Sequence, residues 1–167
     1  KNKKVTIFRS RSSKWNRYMD FLVDVGKKLD SRNYDHHQNG GAGVRQNGVP
    51  YASFGCVWKD FGEEICSNHT VFEIFDRQFV QPIDAWDTGH IKKKHICMPS
   101  MDNNEKIFAH HLPSFARLVL IWKNACKDNP AEELTAFKKI TEFMLETIKY
   151  EIQNLKKMII LNYIIVM

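Results

Sequence analysis

The chain has 167 residues, of which 43% are hydrophobic and 26% charged: enough apolar material for one full core, and too much for a disordered polymer. Its 25 Lys and Arg against 19 Asp and Glu leave a formal charge of +6, which suits polyanionic partners and equally suits a solvated basic surface. The four cysteines, Cys56, Cys66, Cys97 and Cys126, form no C-x-x-C pair, which argues against a zinc knuckle and for reduced thiols in an intracellular compartment.

The basic first residues lack the apolar stretch of a signal peptide, so the acceptor pattern Asn68-His69-Thr70 carries little meaning. Val5 to Phe8 is β-branched and aromatic and predicts an opening strand, followed by a polar link from Ser10 to Arg17. Phe21 to Gly26 predicts a second strand, apolar enough to be buried on both faces. Asp24 interrupts it. A carboxylate inside such a strand is costly unless it is paired or bound to metal; the other reading is an exposed residue at a frayed strand end.

Lys27 to Asn33 reads as a polar turn, leading to Tyr34-Asp35-His36-His37-Gln38 and then the glycine-rich run from Asn39 to Gly48. An acid and two adjacent imidazoles before a flexible backbone set metal ligands beside anion-binding amides, a pairing suited to metal-assisted attack on a phosphoester. The same segment also reads as a surface loop with incidental histidines.

Pro50 predicts a helix start, with a helix from about Tyr51 to Ile65 carrying Tyr51, Phe54, Val57, Trp58 and Phe61 on one face as core. A second helix is predicted from Val71 to Phe79. Strands and helices in this rhythm indicate an α/β fold with a parallel sheet. In Gln81 to Gly89, Asp84 and Asp87 stand three apart, share a helical face and could reach one cation; a turn rich in Asp and Gly is the alternative. From Ile91 to Asn129 the pattern weakens, with His95, His110 and His111 as ligands or packing residues and Phe115 to Trp122 as an apolar element. Asn129-Pro130 predicts a long packing helix over 130–160. The last ten residues are apolar but too few to cross a bilayer, and neither a P-loop nor a dinucleotide fingerprint occurs.

Taken in order, Phe21-Leu22-Val23-Asp24-Val25-Gly26, Tyr34-Asp35-His36-His37-Gln38, Gly40-Gly41-Ala42-Gly43-Val44-Arg45, Tyr51-Ala52-Ser53-Phe54-Gly55 with Val57-Trp58-Lys59, and Val80-Gln81-Pro82-Ile83-Asp84-Ala85-Trp86-Asp87 resemble the melanocyte-proliferating-gene family, a metal-dependent branch related to the DHH phosphoesterases. The similarity is strong over residues 5–89, loose over 91–150 and absent beyond. It implies a three-layer α/β/α domain on a mostly parallel sheet, divalent cations (manganese or magnesium) at the strand ends, and exonuclease-type hydrolysis of RNA. On this resemblance Asp24 would bridge cations, His36 would ligate one, and Asp35 would fix imidazole orientation. His37 and Arg45 would face the substrate phosphate, whose oxygens the amides of Gly40, Gly41 and Gly43 could receive. Asp87, within Asp-Thr-Gly, is the first choice for the last ligand and Asp84 the reserve.

The chain departs from the family pattern at Lys27, usually glycine, and at Thr88, usually asparagine. The family's first motif, a histidine and acidic cluster on an earlier strand, and its smaller carboxy-terminal domain have no counterpart, so a single partial DHH-like domain over 1–167, weakly active or inactive, is expected. The rival expectation is a non-catalytic module holding nucleic acid or a protein on the basic stretches and glycine loop. Expected partners are RNA or an oligonucleotide, without a membrane and with self-association left open. The expected location is cytoplasmic, with nucleus and organelles also open.

Overall fold

The computed structural model describes residues 6–8, 10, 12–90 and 130–166. A 3-10 helix, Ser13–Tyr18, leads into β1, Leu22–Val23, which pairs in parallel with β2, Asn33–Tyr34, setting Leu22 opposite Asn33 and Val23 opposite Tyr34. The predicted strand from Phe21 to Gly26 is cut to Leu22–Val23 because the backbone leaves the β region at once: φ is +61° at Asp24, +102° at Gly26 and +54° at Lys27. Nor is it buried on both faces, since Leu22 is buried while Phe21 and Val23 are about half exposed. Thr6 to Phe8 form no strand, and Val5 lies outside the described residues.

A parallel pair ordinarily needs a long crossover, often helical. Here Asp30 makes a short one. Its carboxylate accepts from the amides of Arg32 and Asn33, each at 2.9 Å, and from the Asn33 side chain, an Asx-type turn that brings the chain back beside β1.

Four α-helices follow among the described residues: α1, Ser53–Cys66; α2, His69–Phe75; α3, Gln81–Asp87; and α4, Pro130–Val166. Ser67 in the left-handed conformation ends α1, and the Asn68 side chain caps α2 by accepting from the Val71 amide at 3.0 Å. The helix expected to end at Phe79 instead runs on through a π-helical turn, Asp76–Val80, into α3. Pro82 explains the widened turn: its ring has no amide to donate and would collide with the carbonyl four residues back in a regular helix.

The core is Trp58, Cys66, Val71, Phe75, Phe79, Val80 and Ile152, with the Phe75 ring 4.6 Å from both Trp58 and Phe79. Each large apolar side chain buried there contributes about 1.5–3 kcal/mol. The long helix is a packing helix as predicted, laying Met144, Ile148, Ile152, Leu155 and Ile159 against the core at spacings of three and four. The buried side of α1 differs from the predicted aromatic stripe. Of Tyr51, Phe54, Val57, Trp58 and Phe61 only Trp58 is buried, and small residues, Gly55, Cys56, Gly62 and Cys66, fill the rest. The reason is close approach: a Cβ on Gly62 would lie 2.6 Å from the Trp58 ring and 2.9 Å from Phe72.

The described residues thus form a mixed, helix-rich domain with a two-stranded parallel sheet, the parallel pairing expected but a far smaller sheet than a three-layer fold holds. No helix among them is long and apolar enough to cross a membrane. His95, His110, His111, Cys97, Cys126 and the apolar stretch 115–122 lie outside the described residues.

Candidate functional site

Because Val23 and Tyr34 are register partners, the next residue of each strand, Asp24 and Asp35, emerges at the same carboxyl end of the sheet. The Asp24 amide donates to the Tyr34 carbonyl at 2.9 Å, which holds the two ends together. Asp35 is buried, 1% exposed. Its Oδ2 accepts from the Lys27 amide at 2.7 Å, and its Oδ1 accepts from the His37 amide at 3.1 Å and lies 2.7 Å from His37 Nδ1. Gly26 and Lys27, both with positive φ, make the turn that carries this amide.

His36 takes its contacts from α1 and α3. Its Nδ1 is 3.0 Å from the Ser53 hydroxyl and 3.2 Å from the Ser53 amide, and its Nε2 is 3.9 Å from Asp87 Oδ2. The Ser53 hydroxyl is also 3.0 Å from Asp24 Oδ1, which stands 3.5 Å from His36 Nδ1 and 3.6 Å from His37 Nδ1. The two imidazole rings lie 4.2 Å apart. Asp24, Asp35, His36 and His37 each present a ligand atom within 4.8 Å of the others, two carboxylates and two imidazoles in one patch. The Asp24 side chain is 57% exposed, so it sits at a strand end open to solvent rather than inside a buried strand.

Burial pushes the Asp35 carboxyl up, but the His37 ring and the amides of Lys27 and His37 outweigh it and hold the group below the usual aspartate range. The hydrogen bond to Asp35 raises the proton affinity of His37, against its partial burial, with Asp24 and Asp87 adding to the pull. The pair therefore acts as a carboxylate holding an imidazole in one orientation. The imidazole so contacted is that of His37; the neighbour of His36 Nδ1 is Ser53.

The other acidic and basic residues singled out in the sequence meet elsewhere. Arg45 Nη1 is 2.8 Å from Asp84 Oδ2 and its Nη2 is 3.0 Å from Asp76 Oδ1, with the guanidinium 4.0 Å over the Tyr51 ring. Arg45 is 6% exposed at its side chain and Asp84 0%. Asp84 Oδ1 further accepts from the Gly55 amide at 2.9 Å, so a carboxylate from α3 caps the first turn of α1, where Ala52 offers no side-chain cap. A Cβ on Gly55 would lie 1.8 Å from Asp84 Oδ2, so only glycine fits. Burial pushes the Asp84 carboxyl up, to about 6, against the pull of Arg45. Arg45 thus turns inward onto its own loop, where the resemblance implied a fork facing a phosphate, and Asp84, the reserve metal ligand, meets the helix and the arginine.

Asn47 ties the same loop down, donating to Gln81, which donates to Asp76, both at 2.7 Å. Gly40, Gly41 and Gly43 all have positive φ and open space around the α-carbon, as a backbone approached by a ligand requires. The Gly41 amide, however, closes a turn onto the Gln38 carbonyl at 2.9 Å. Sequence reasoning does not single out Ser53 as a site residue. The available signal was a hydroxyl at the first position of a helix whose preceding residue cannot cap it.

A family model, MYG1_exonuc, described as Uncharacterised protein family (UPF0160), matches residues 1–167. Neither a curated protein nor a solved structure matches the chain.

Proposed function

The chain belongs to the MYG1_exonuc family, and from that membership we propose that it is a metal-dependent phosphoester hydrolase of exonuclease type, acting on RNA, built on a DHH-like three-layer α/β/α domain. The observation that carries this reading is the patch formed by Asp24, Asp35, His36 and His37 at the carboxyl end of two parallel strands.

The donor set fits a divalent cation that accepts carboxylate and imidazole ligands, manganese or magnesium. His36 and Asp87, whose Nε2 and Oδ2 stand 3.9 Å apart, would together hold it. Asp24 completes the holding set, while Asp84 stays with Arg45. When bound, such a cation supplies Lewis-acid polarisation of a phosphoryl oxygen and a more acidic water. The chain's own residues do the rest. Asp35 keeps His37 oriented and makes it readier to carry a proton toward a phosphate. Arg45 and Asn47 pin the glycine loop, whose Gly40 and Gly43 segments then offer backbone to the phosphate chain. The same reading puts the enzyme in a reducing intracellular compartment, in keeping with Cys56 and Cys66 as free, buried thiols, the former pushed up to about 11 by burial.

The test is manganese-dependent release of nucleotides from a short RNA, beside calorimetric titration with manganese. His36→Ala and Asp24→Asn should abolish release, and Asp87→Asn should weaken manganese binding far more than Asp84→Asn. Retention of RNA without cleavage, at any manganese concentration, would replace this reading with a nucleic-acid-binding module.

A further inference from the structure

Two groups of one residue compete for a single ring nitrogen at the centre of the patch. The Ser53 amide, 3.2 Å from His36 Nδ1, can only donate to it; the Ser53 hydroxyl, 3.0 Å from the same atom, can accept from it. A neutral imidazole has one proton to place. If Nδ1 accepts from the amide, the proton sits on Nε2, the nitrogen facing Asp87, and that nitrogen has no lone pair for a cation. If Nδ1 carries the proton, the hydroxyl oxygen accepts it, and the hydroxyl hydrogen goes on to Asp24 Oδ1 at 3.0 Å. The Nε2 lone pair is then available.

We propose that Ser53 is the positioning residue of the metal site: its hydroxyl selects the Nδ1-protonated form of His36, directing the Nε2 lone pair to the cation, and steadies Asp24 in the same stroke. The proposal rests on the metal-dependent reading above. Two features make the hydroxyl hard to replace. Ser53 is 3% exposed, which leaves little room for a water to substitute, and it is the first residue of α1, so the helix itself fixes where the oxygen sits. Asp35 does not supply this contact, because its Oδ1 is engaged by the ring and amide of His37 and its Oδ2 by the amide of Lys27. One carboxylate thus orients one histidine, and one hydroxyl links the other histidine to the second carboxylate.

The experiment uses the full chain. Nitrogen-15 NMR of the metal-free protein reads the tautomer of His36, and calorimetry with manganese alone reads affinity. Ser53→Ala keeps the amide and the helix start but removes the hydroxyl. It should move His36 toward the Nε2-protonated form and weaken manganese binding about ten- to a hundredfold, the range for a lost outer partner of a metal-bound histidine. Ser53→Thr keeps the hydroxyl and should restore both readouts. An unchanged His36 tautomer in Ser53→Ala overturns the proposal. Manganese binding as tight in Ser53→Ala as in the unmodified chain also overturns it and leaves the metal-dependent function standing. If instead the tautomer follows the hydroxyl while no variant binds manganese, Ser53's hold on the imidazole is supported and the metal-dependent function is what fails.

Discussion

Asp24 and Asp84 both serve the amino-terminal turn of α1, one through the Ser53 hydroxyl and the other through the Gly55 amide, yet one side chain is 57% exposed and the other 0%. Around Asp84 the cationic partner is an arginine, a permanent charge with a rigid fork, and both carboxylate oxygens are engaged. Around Asp24 the partners are two imidazoles, which can gain or lose a proton and can bind a metal. The same acid-and-base vocabulary thus gives a structural clamp in one place and a reactive patch in the other. Burial and the choice of base make the difference.

The largest expected effect is on the clamp. Arg45→Ala leaves the buried Asp84 carboxylate without its counter-charge and should cost about 3–5 kcal/mol of stability, read from urea denaturation. A loss below about 1 kcal/mol would mean that Asp84 is not a buried partner of Arg45. Gly55→Ala attacks the same clamp by volume, since its Cβ would overlap Asp84 Oδ2, and should lower the melting temperature well beyond the ordinary gain of replacing a helical glycine.

The patch should respond in the opposite sense. His36→Ala should change stability by no more than about 1 kcal/mol, the usual worth of one side-chain hydrogen bond, while manganese binding is lost. Comparable losses of stability in His36→Ala and Arg45→Ala would erase the distinction between the two clusters.

The pH dependence sharpens the comparison, because the two buried carboxylates have opposite signs. Burial pushes the Asp84 carboxyl up to about 6 in the folded chain against the ordinary 3.8, so the folded state binds the extra proton between them. Its contribution to stability therefore falls as pH rises through that window and is level above it. Asp35, held below its ordinary value, contributes stability that is present at higher pH and lost as pH falls through its folded value. Subtracting the melting curve of Asp84→Asn from that of the unmodified chain, from pH 4 to 7, should isolate a difference that changes between about 4 and 6 and is flat beyond. A difference that varies instead above pH 6 would assign the titration to a histidine.

The smallest effect is at Lys27. A non-glycine residue in the left-handed region costs about 1–2 kcal/mol, partly offset by the greater unfolded freedom of glycine. Lys27→Gly should therefore stabilise the chain by up to about 1 kcal/mol without disturbing the Lys27 amide on Asp35. Destabilisation would show that the lysine side chain contributes more than its backbone strain removes.

What was legible in the sequence was local. Asp35, His36 and His37 are adjacent and come together whatever the fold, and the departure at Lys27, where the resembled family has glycine, falls where the backbone takes a positive φ, a link the sequence alone does not draw. The three-residue spacing of Asp84 and Asp87 gave a shared face but not its direction, because direction was set by Arg45, which lies far away in the chain. The Ser53 contact spans 17 residues and the Gly55 contact 29, distances at which pattern gives no register. A usable clue lay in the glycines of α1. A helix-interior glycine is unfavourable by roughly 0.5–1 kcal/mol unless something must pass close by, and at Gly55 and Gly62 something does. The aromatic stripe misled because the tight faces of α1 are its small residues.

The borrowed cap on α1 also orders events in time. A helix with its own serine or aspartate ahead of it can start as soon as its residues meet, but the first turn of α1 must await a carboxylate from α3, 29 residues on. The loop closed by that contact has to form first, at an entropic cost that local pairing does not carry. Refolding should therefore complete the start of α1 late, after α2 and α3 have docked on Trp58. Substitutions at Gly55 or Asp84 should then speed unfolding far more than they slow folding.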